Sequence, residues 1–390
     1  MGKVSKIENL SKFGFTNSKK KIGVNFWRFF FNGKEKYSSE NQMFFVEFEM
    51  LNPYISPNEC VLGFKSRVSI SPESLQYALA GTQSAINLKT EKLVQPSYCV
   101  VRIGRFGKNG KQLCAYYPLS EIKFNSKPFF IETKNQTFSN DSISGEINVA
   151  YQDLTQNPEF FCDSGSAKWN LNYVINKSLG EGFHNNGDRW FPSGLNSTFS
   201  GNLTFDDKEY VVFPLSSFGY VERYWGKNFM QPWFHISSSN LISNISGKVL
   251  TGASFSIQGA FGKRVSFIGI IDQTEIVFSL DSKNKYNDVW QCSQMPEKED
   301  VEENQLHWSV SIHNKHWILD VDVFCKITEL FNRKLELPEG ERKILNLLEG
   351  GTGTGELKLY RKVKNNLEQI EDAKIENCIC EFGELEENNF

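Results

Sequence analysis

Apolar and polar residues alternate with a period of two along most of the chain, which is the signature of strands with one buried face. The alternation predicts strands at Asn25–Phe31, Met43–Met50, Tyr98–Phe106, Gln112–Tyr117, Pro128–Glu132, Ser144–Tyr151 and Ala167–Ile175. Asn32-Gly33 is placed in the turn between the first two. A hairpin follows at Gly201–Phe213, turning at Asp206-Asp207-Lys208. The same grammar returns at Ala253–Phe261, Val265–Ile271, Glu275–Leu280, Asp288–Cys292, Leu306–Ile312, Trp317–Phe324, Leu357–Val363 and Ala373–Glu381. Helical signals are few: Ser71–Gly81 has an N-cap serine, a proline at the first helical position and a closing glycine, and Pro338–Gly350 is a second short candidate. No βαβ rhythm is present, so the expected class is mainly β, with two antiparallel barrels packed together and few short helices.

A chain of 390 residues is too long for one small barrel. The expected division is a polar arm over 1–24, a first barrel over 25–215 and a second over 216–390. In Met43–Met50, Phe44, Val46, Phe48 and Met50 share one face, while Phe45, Glu47 and Glu49 share the other. Glu47 and Glu49 are expected to face solvent, the alternative being a polar patch in a pocket.

The 33 phenylalanines in a 39% apolar chain mean that flat rings fill the interior more than leucine does, and such rings favour strands. The formal net charge of −3, with acids and bases interspersed, leaves no electrostatic footprint for nucleic acid. No run approaches the roughly 18 apolar residues that cross a bilayer, and the lysine-rich start lacks the apolar core of a secretory signal. The expectation is a cytoplasmic protein without an integral membrane segment, its eight cysteines reduced.

Common enzyme plans are missing. There is no Gly-x-Ser-x-Gly, no His-Glu-x-x-His and no Cys-x-x-Cys, so neither a metal nor a redox cofactor is expected. Gly350-Gly351-Thr352-Gly353-Thr354-Gly355 lacks the Gly-Lys-Ser/Thr ending of a phosphate loop and reads as a flexible entry to the next strand. His313 and His316 read as a hairpin tip.

The densest chemistry lies in Gly219–His235, which holds Tyr220, Glu222, Arg223, Tyr224, Trp225, Asn228, Phe229, Trp233 and Phe234. With Arg189-Trp190-Phe191-Pro192 upstream, the pattern Tyr220-x-Glu222-Arg223-x-Trp225-Gly226 resembles the tocopherol cyclase family and its lipocalin-like relatives, the hydroxyneurosporene synthases, over about residues 168–240. It departs from the family at Tyr224, Met230 and His235. The resemblance implies two lipocalin-like barrels with a small hydrophobic ligand, isoprenoid or polyketide-like, near their junction. It also implies cofactor-free acid-catalysed cyclisation or hydration of a double bond, and at most a transient membrane contact for ligand uptake. Glu222 and Tyr220 are then the candidate catalytic groups, and Trp190, Tyr224, Trp225, Asn228, Trp233 and His235 the candidate ligand contacts.

The chemistry is sound. A buried carboxylic acid keeps a proton near neutral pH, and indole and phenol faces stabilise a cation by about 0.5–2 kcal/mol each. Strand alternation sets Tyr220, Glu222 and Tyr224 on one face and Val221, Arg223 and Trp225 on the other, so Glu222 and Trp225 meet only if a bulge re-aims one. Two other readings stay open at this point: a Glu222–Arg223 ion pair inside an inter-barrel plug, and a carrier or sensor that binds the ligand without reacting it.

Overall fold

The structure is a computed structural model that describes residues 22–38, 40–63, 67–68, 91–92, 95–185, 188–261, 264–280, 285–295, 304–341, 343–364 and 366–386. The expected helix at 71–81 lies outside these residues.

Strands dominate, forming a closed small barrel and a half-barrel packed against each other. The first sheet has the spatial order Lys111–Tyr117, Tyr98–Arg105, Asn41–Leu51, Val24–Glu35, Lys208–Val212, Asp188–Phe205, Gly165–Lys177, Ser142–Val149, Gln136–Ser139, Phe129–Glu132, Lys123–Ser126. Gly219–Gly226 also lies between Val24–Glu35 and Asp188–Phe205, extending the line begun by Lys208–Val212. The second sheet runs Thr274–Phe278, Arg264–Ile271, Ser254–Phe261, Trp233–Ser238, Asn366–Glu386, Ile344–Val363, Trp317–Lys326, Gln305–His313, Asn287–Met295. Phe331–Glu336 pairs with the early half of Ile344–Val363. Hydrogen bonding carries the first sheet to Gly226 and starts the second at Trp233.

Where the two sheets meet, their strands are buried on both faces. One face lines an apolar interior, with Trp27, Phe29, Phe44 and Phe48 in the first sheet and Phe234, Phe255, Ile257 and Trp308 in the second. The other faces meet at a seam, and there a layer of charge lies between two apolar layers. Phe26, Tyr224, Trp233, Leu345 and Leu347 belong to one layer, and Phe30, Phe45, Tyr220, Ile268 and Ile379 to the other.

Three expectations fail for identifiable reasons. Asn32-Gly33 is not a turn: the first strand continues to Glu35 with Gly33 paired to Gln42. Pro338–Gly350 is not helical, because Leu345, Leu347 and Glu349 alternate at the strand period and belong to Ile344–Val363. The glycine run sits inside that strand, where the register shifts between Gly350, Gly353 and Gly355 and the backbones press together. A Cβ on Gly355 would stand 1.8 Å from the Asp322 carbonyl oxygen, and one on Gly351 would stand 2.5 Å from Met43 Cγ of the first sheet.

None of the eight cysteines is in a disulfide. Among the described residues no helix is long and apolar enough to cross a membrane.

Candidate functional site

Register builds the charged layer from single rows of residues across each sheet. Arg28 stands directly opposite Glu222 on one side and Glu47 on the other, and Glu47 stands opposite Arg102, so charges alternate across four adjacent strands. In the second sheet the corresponding row is Gln258, His235, Glu381 and Glu349. Face to face, the rows interlock. Arg28 reaches across to Glu381 and, at 3.3 Å, to Glu349, while Arg333 joins Glu349 at 2.7 Å to Glu47 at 3.0 Å. Arg102 holds both Glu47 and Glu49.

Glu47 and Glu49, expected at the surface, are thus buried, with 2% and 1% of their surface exposed. The reason is that three buried guanidiniums face them and their neighbours, and a buried carboxylate needs such partners.

Within this layer hydrogen bonds, and ion-pair approaches at His235 Nδ1 and Arg28 Nε that lack hydrogen-bond geometry, trace a ring. Tyr220 Oη donates to Glu222 Oε2 at 2.9 Å and lies 2.9 Å from Ser256 Oγ. Ser256 Oγ is 3.2 Å from His235 Nε2, and His235 Nδ1 is 3.2 Å from Glu381 Oε2. Glu381 meets Arg28, whose Nε returns to Glu222 Oε1 at 3.2 Å. Two indoles brace the ring: Trp190 Nε1 donates to Glu222 Oε2 at 2.8 Å, and Trp233 Nε1 to Glu381 Oε2 at 2.6 Å. Glu222, His235, Ser256 and Glu381 are wholly buried.

Five of the eight residues singled out from sequence therefore meet: Tyr220, Glu222, Trp190, Trp233 and His235. Tyr224 is adjacent, its ring stacked on Phe26 at 5.2 Å and its hydroxyl donating to the Asn228 carbonyl at 2.5 Å. The Asn228 side chain accepts the Phe229 amide at 2.9 Å, which fixes the turn. Trp225 is on the opposite face, stacked on Phe191 at 4.9 Å and under the Arg223 guanidinium at 4.5 Å, because no bulge reverses the alternation within Gly219–Gly226. Arg223 lies on that face too, so the cation beside Glu222 is Arg28. Sequence reading missed Arg28, Ser256, Glu381 and Glu349. A signal for Arg28 existed, a lone base in Asn25-Phe26-Trp27-Arg28-Phe29-Phe30-Phe31, whereas Ser256 and Glu381 become visible only with the register.

Electrostatically the layer is acid-rich, with five carboxyls, Glu47, Glu49, Glu222, Glu349 and Glu381, facing three guanidiniums. Burial favours the neutral form of a carboxyl and cations the charged form, so position decides each case. Burial would raise Glu47, but Arg333, Arg102 and Arg28 outweigh it and hold its carboxyl at about 2. Glu381 is likewise held well below the usual range against burial, by Arg28 and then His235. For Glu349 burial wins over Arg333 and lifts the carboxyl to about 8. Nearby Glu336 is also raised by burial to about 8, and Glu49 is raised as well. Burial, with the Glu222 carboxyl, also keeps the Tyr220 phenol protonated. Ionised and protonated acids thus stand side by side. Among the described residues no group of three or more His, Cys, Asp or Glu is arranged to hold a metal ion.

No protein-family model matches the chain, and no curated protein matches it either. Among solved structures it is similar to a provisionally assigned AttH protein from Nitrosomonas europaea, with a TM-score of 0.40 and 6% identity over 92% of this chain and 94% of that one. It is also similar to kievitone hydratase from Nectria haematococca, with a TM-score of 0.39 and 10% identity over 95% and 93%. Both are similarities of the whole chain, and neither bears on the ring.

Proposed function

We propose that the seam binds a small apolar molecule carrying an oxygen and moves a proton on it without a cofactor, as cyclisation or hydration of a double bond requires. The observation that carries this reading is the buried ring Tyr220, Ser256, His235, Glu381, Arg28, Glu222, in which hydrogen bonds join Glu222, Tyr220, Ser256 and His235 and ion-pair approaches of 3.2 Å complete the circle at Glu381 and Arg28. Tyr220 is the group that meets the ligand. Glu222 accepts its hydrogen bond, and the Ser256–His235–Glu381 line exchanges the proton on the other side. The Glu381 carboxylate, 3.2 Å behind His235 Nδ1, is placed as a carboxylate that orients an imidazole would be. The aromatic and aliphatic layers above and below the ring would shield a developing cation from water. In this reading the barrel and the half-barrel are the walls of the site, and the chain passes from the first sheet to the second through residues 227–232.

The test incubates the protein in deuterium oxide with a panel of prenylated phenols and hydroxylated polyenes, and reads carbon-bound deuterium by mass spectrometry. The account expects incorporation or cyclised product with wild type, and a loss of at least about a hundredfold in Tyr220→Phe and Glu222→Gln, the usual weight of a positioned acid or base. Ligand bound but unlabelled by wild type would replace this reading with a carrier. The ion pair of Glu222 with Arg28 at 3.2 Å, which ties the carboxylate into the seam, is the observation that favours that alternative.

A further inference from the structure

We infer that Gln258 is the hydrogen-bonding anchor for the ligand, and that the ligand's anchored group is a neutral hydroxyl, phenolic or alcoholic. This rests on the seam being the binding site. The Gln258 side chain is wholly buried, yet neither its Oε1 nor its Nε2 has a partner in the fold. Buried amides are almost always satisfied, so one with both ends open calls for an explanation. Its position supplies one. Gln258 lies directly opposite His235 in register and two residues after Ser256 on the same strand face, so it borders the ring where Ser256 and His235 meet. Two residues before Ser256, on the same face again, Ser254 Oγ is also buried without a partner. One strand face therefore presents three polar side chains in line, the middle one engaged by the ring and the outer two open.

The chemistry of an amide narrows the occupant. Oε1 accepts and Nε2 donates, and a hydroxyl answers both through its hydrogen and its lone pairs. An ether or ketone offers only acceptors and leaves Oε1 open. A carboxylate does the same and would bring a further charge into a buried site. Ile268, directly opposite Ser256 in register, belongs with Ile379 and Tyr220 to the apolar layer on this side of the ring. A hydroxyl held there is next to the Ser256–His235 contact, which places the anchor beside the relay.

The test compares 4-hexylphenol with its methyl ether, 4-hexylanisole, by titration calorimetry on the full chain, in wild type and in Gln258→Met. Wild type should bind the phenol about tenfold or more tightly than the ether, since a site with unanswered polar groups rejects a ligand that cannot fill them. Gln258→Met should erase that preference by weakening the phenol while leaving the ether unchanged. In the absence of ligand the variant should melt no lower than wild type, and about 2 °C or more higher if the open amide is a burden on the fold. Equal affinity of wild type for both probes, or a preference that survives in Gln258→Met, overturns the anchor while the seam reading stands. Binding of neither probe overturns both. A variant that melts lower or fails to fold shows an amide satisfied for structural reasons, and also overturns the anchor.

Discussion

Replacing Glu349 with glutamine should remove a large part of the pH dependence of stability while leaving the fold in place. Glu349 accepts from Arg333 Nη1 at 2.7 Å, lies 3.3 Å from Arg28 Nη2, and is lifted by burial to about 8. The unfolded carboxyl releases its proton near the ordinary 4.5. Between these values the folded chain holds one proton more than the unfolded chain, so the group's contribution is full below about 4.5 and declines as pH rises towards 8. The slope for one proton is about 1.4 kcal/mol per pH unit, and the whole shift amounts to about 5 kcal/mol. Glu336, also near 8, adds a similar slope with the same sign. Wild type should thus lose roughly 5 kcal/mol from these two groups between pH 5.5 and 7.5, and Glu349→Gln roughly half of that. In this window Glu47 and Glu381 are ionised in the fold and largely ionised when unfolded, so they contribute little slope. Urea unfolding at half-unit steps of pH, followed by tryptophan fluorescence, gives both curves. Parallel curves for wild type and Glu349→Gln would refute the assignment of the proton to Glu349.

Other consequences follow from the same contacts. Arg28→Met removes the cation shared by Glu222, Glu381 and Glu349 and should cost about 3–5 kcal/mol, measured by urea unfolding at pH 7. Trp225→Ala should destabilise by about 3–5 kcal/mol yet leave 4-hexylphenol affinity within twofold in titration calorimetry, because Trp225 packs on the face away from the ring. Gly355→Ala should cost about 1–3 kcal/mol through its 1.8 Å approach to the Asp322 carbonyl, visible as a lower melting temperature.

Much of the fold was legible because a period of two is a local property. Strands such as Tyr98–Arg105 and Trp317–Lys326 announce themselves in their own residues. The failures share a cause. Glu47 and Glu49 look solvent-facing when their strand is read by itself, and only the register that sets Arg28 and Arg102 beside them makes burial tolerable. Leu345, Leu347 and Glu349 looked helical because Pro338 and Gly350 suggested ends, although the glycines serve close strand packing. Alternation correctly separated Tyr220, Glu222 and Tyr224 from Arg223 and Trp225. Two acids that burial lifts to about 8, Glu336 and Glu349, lie more than a hundred residues from the segment that drew attention, and no local spacing links them to it.

The most direct test of the seam as a ligand site is a crystal structure of the protein soaked with 4-hexylphenol. The account predicts the phenol oxygen within hydrogen-bond distance of Gln258 and beside Tyr220 and Ser256, with the alkyl chain between the aromatic layers. A phenol found instead inside either barrel, or in the cleft edged by Arg264, Lys285, His313 and His316, would contradict it.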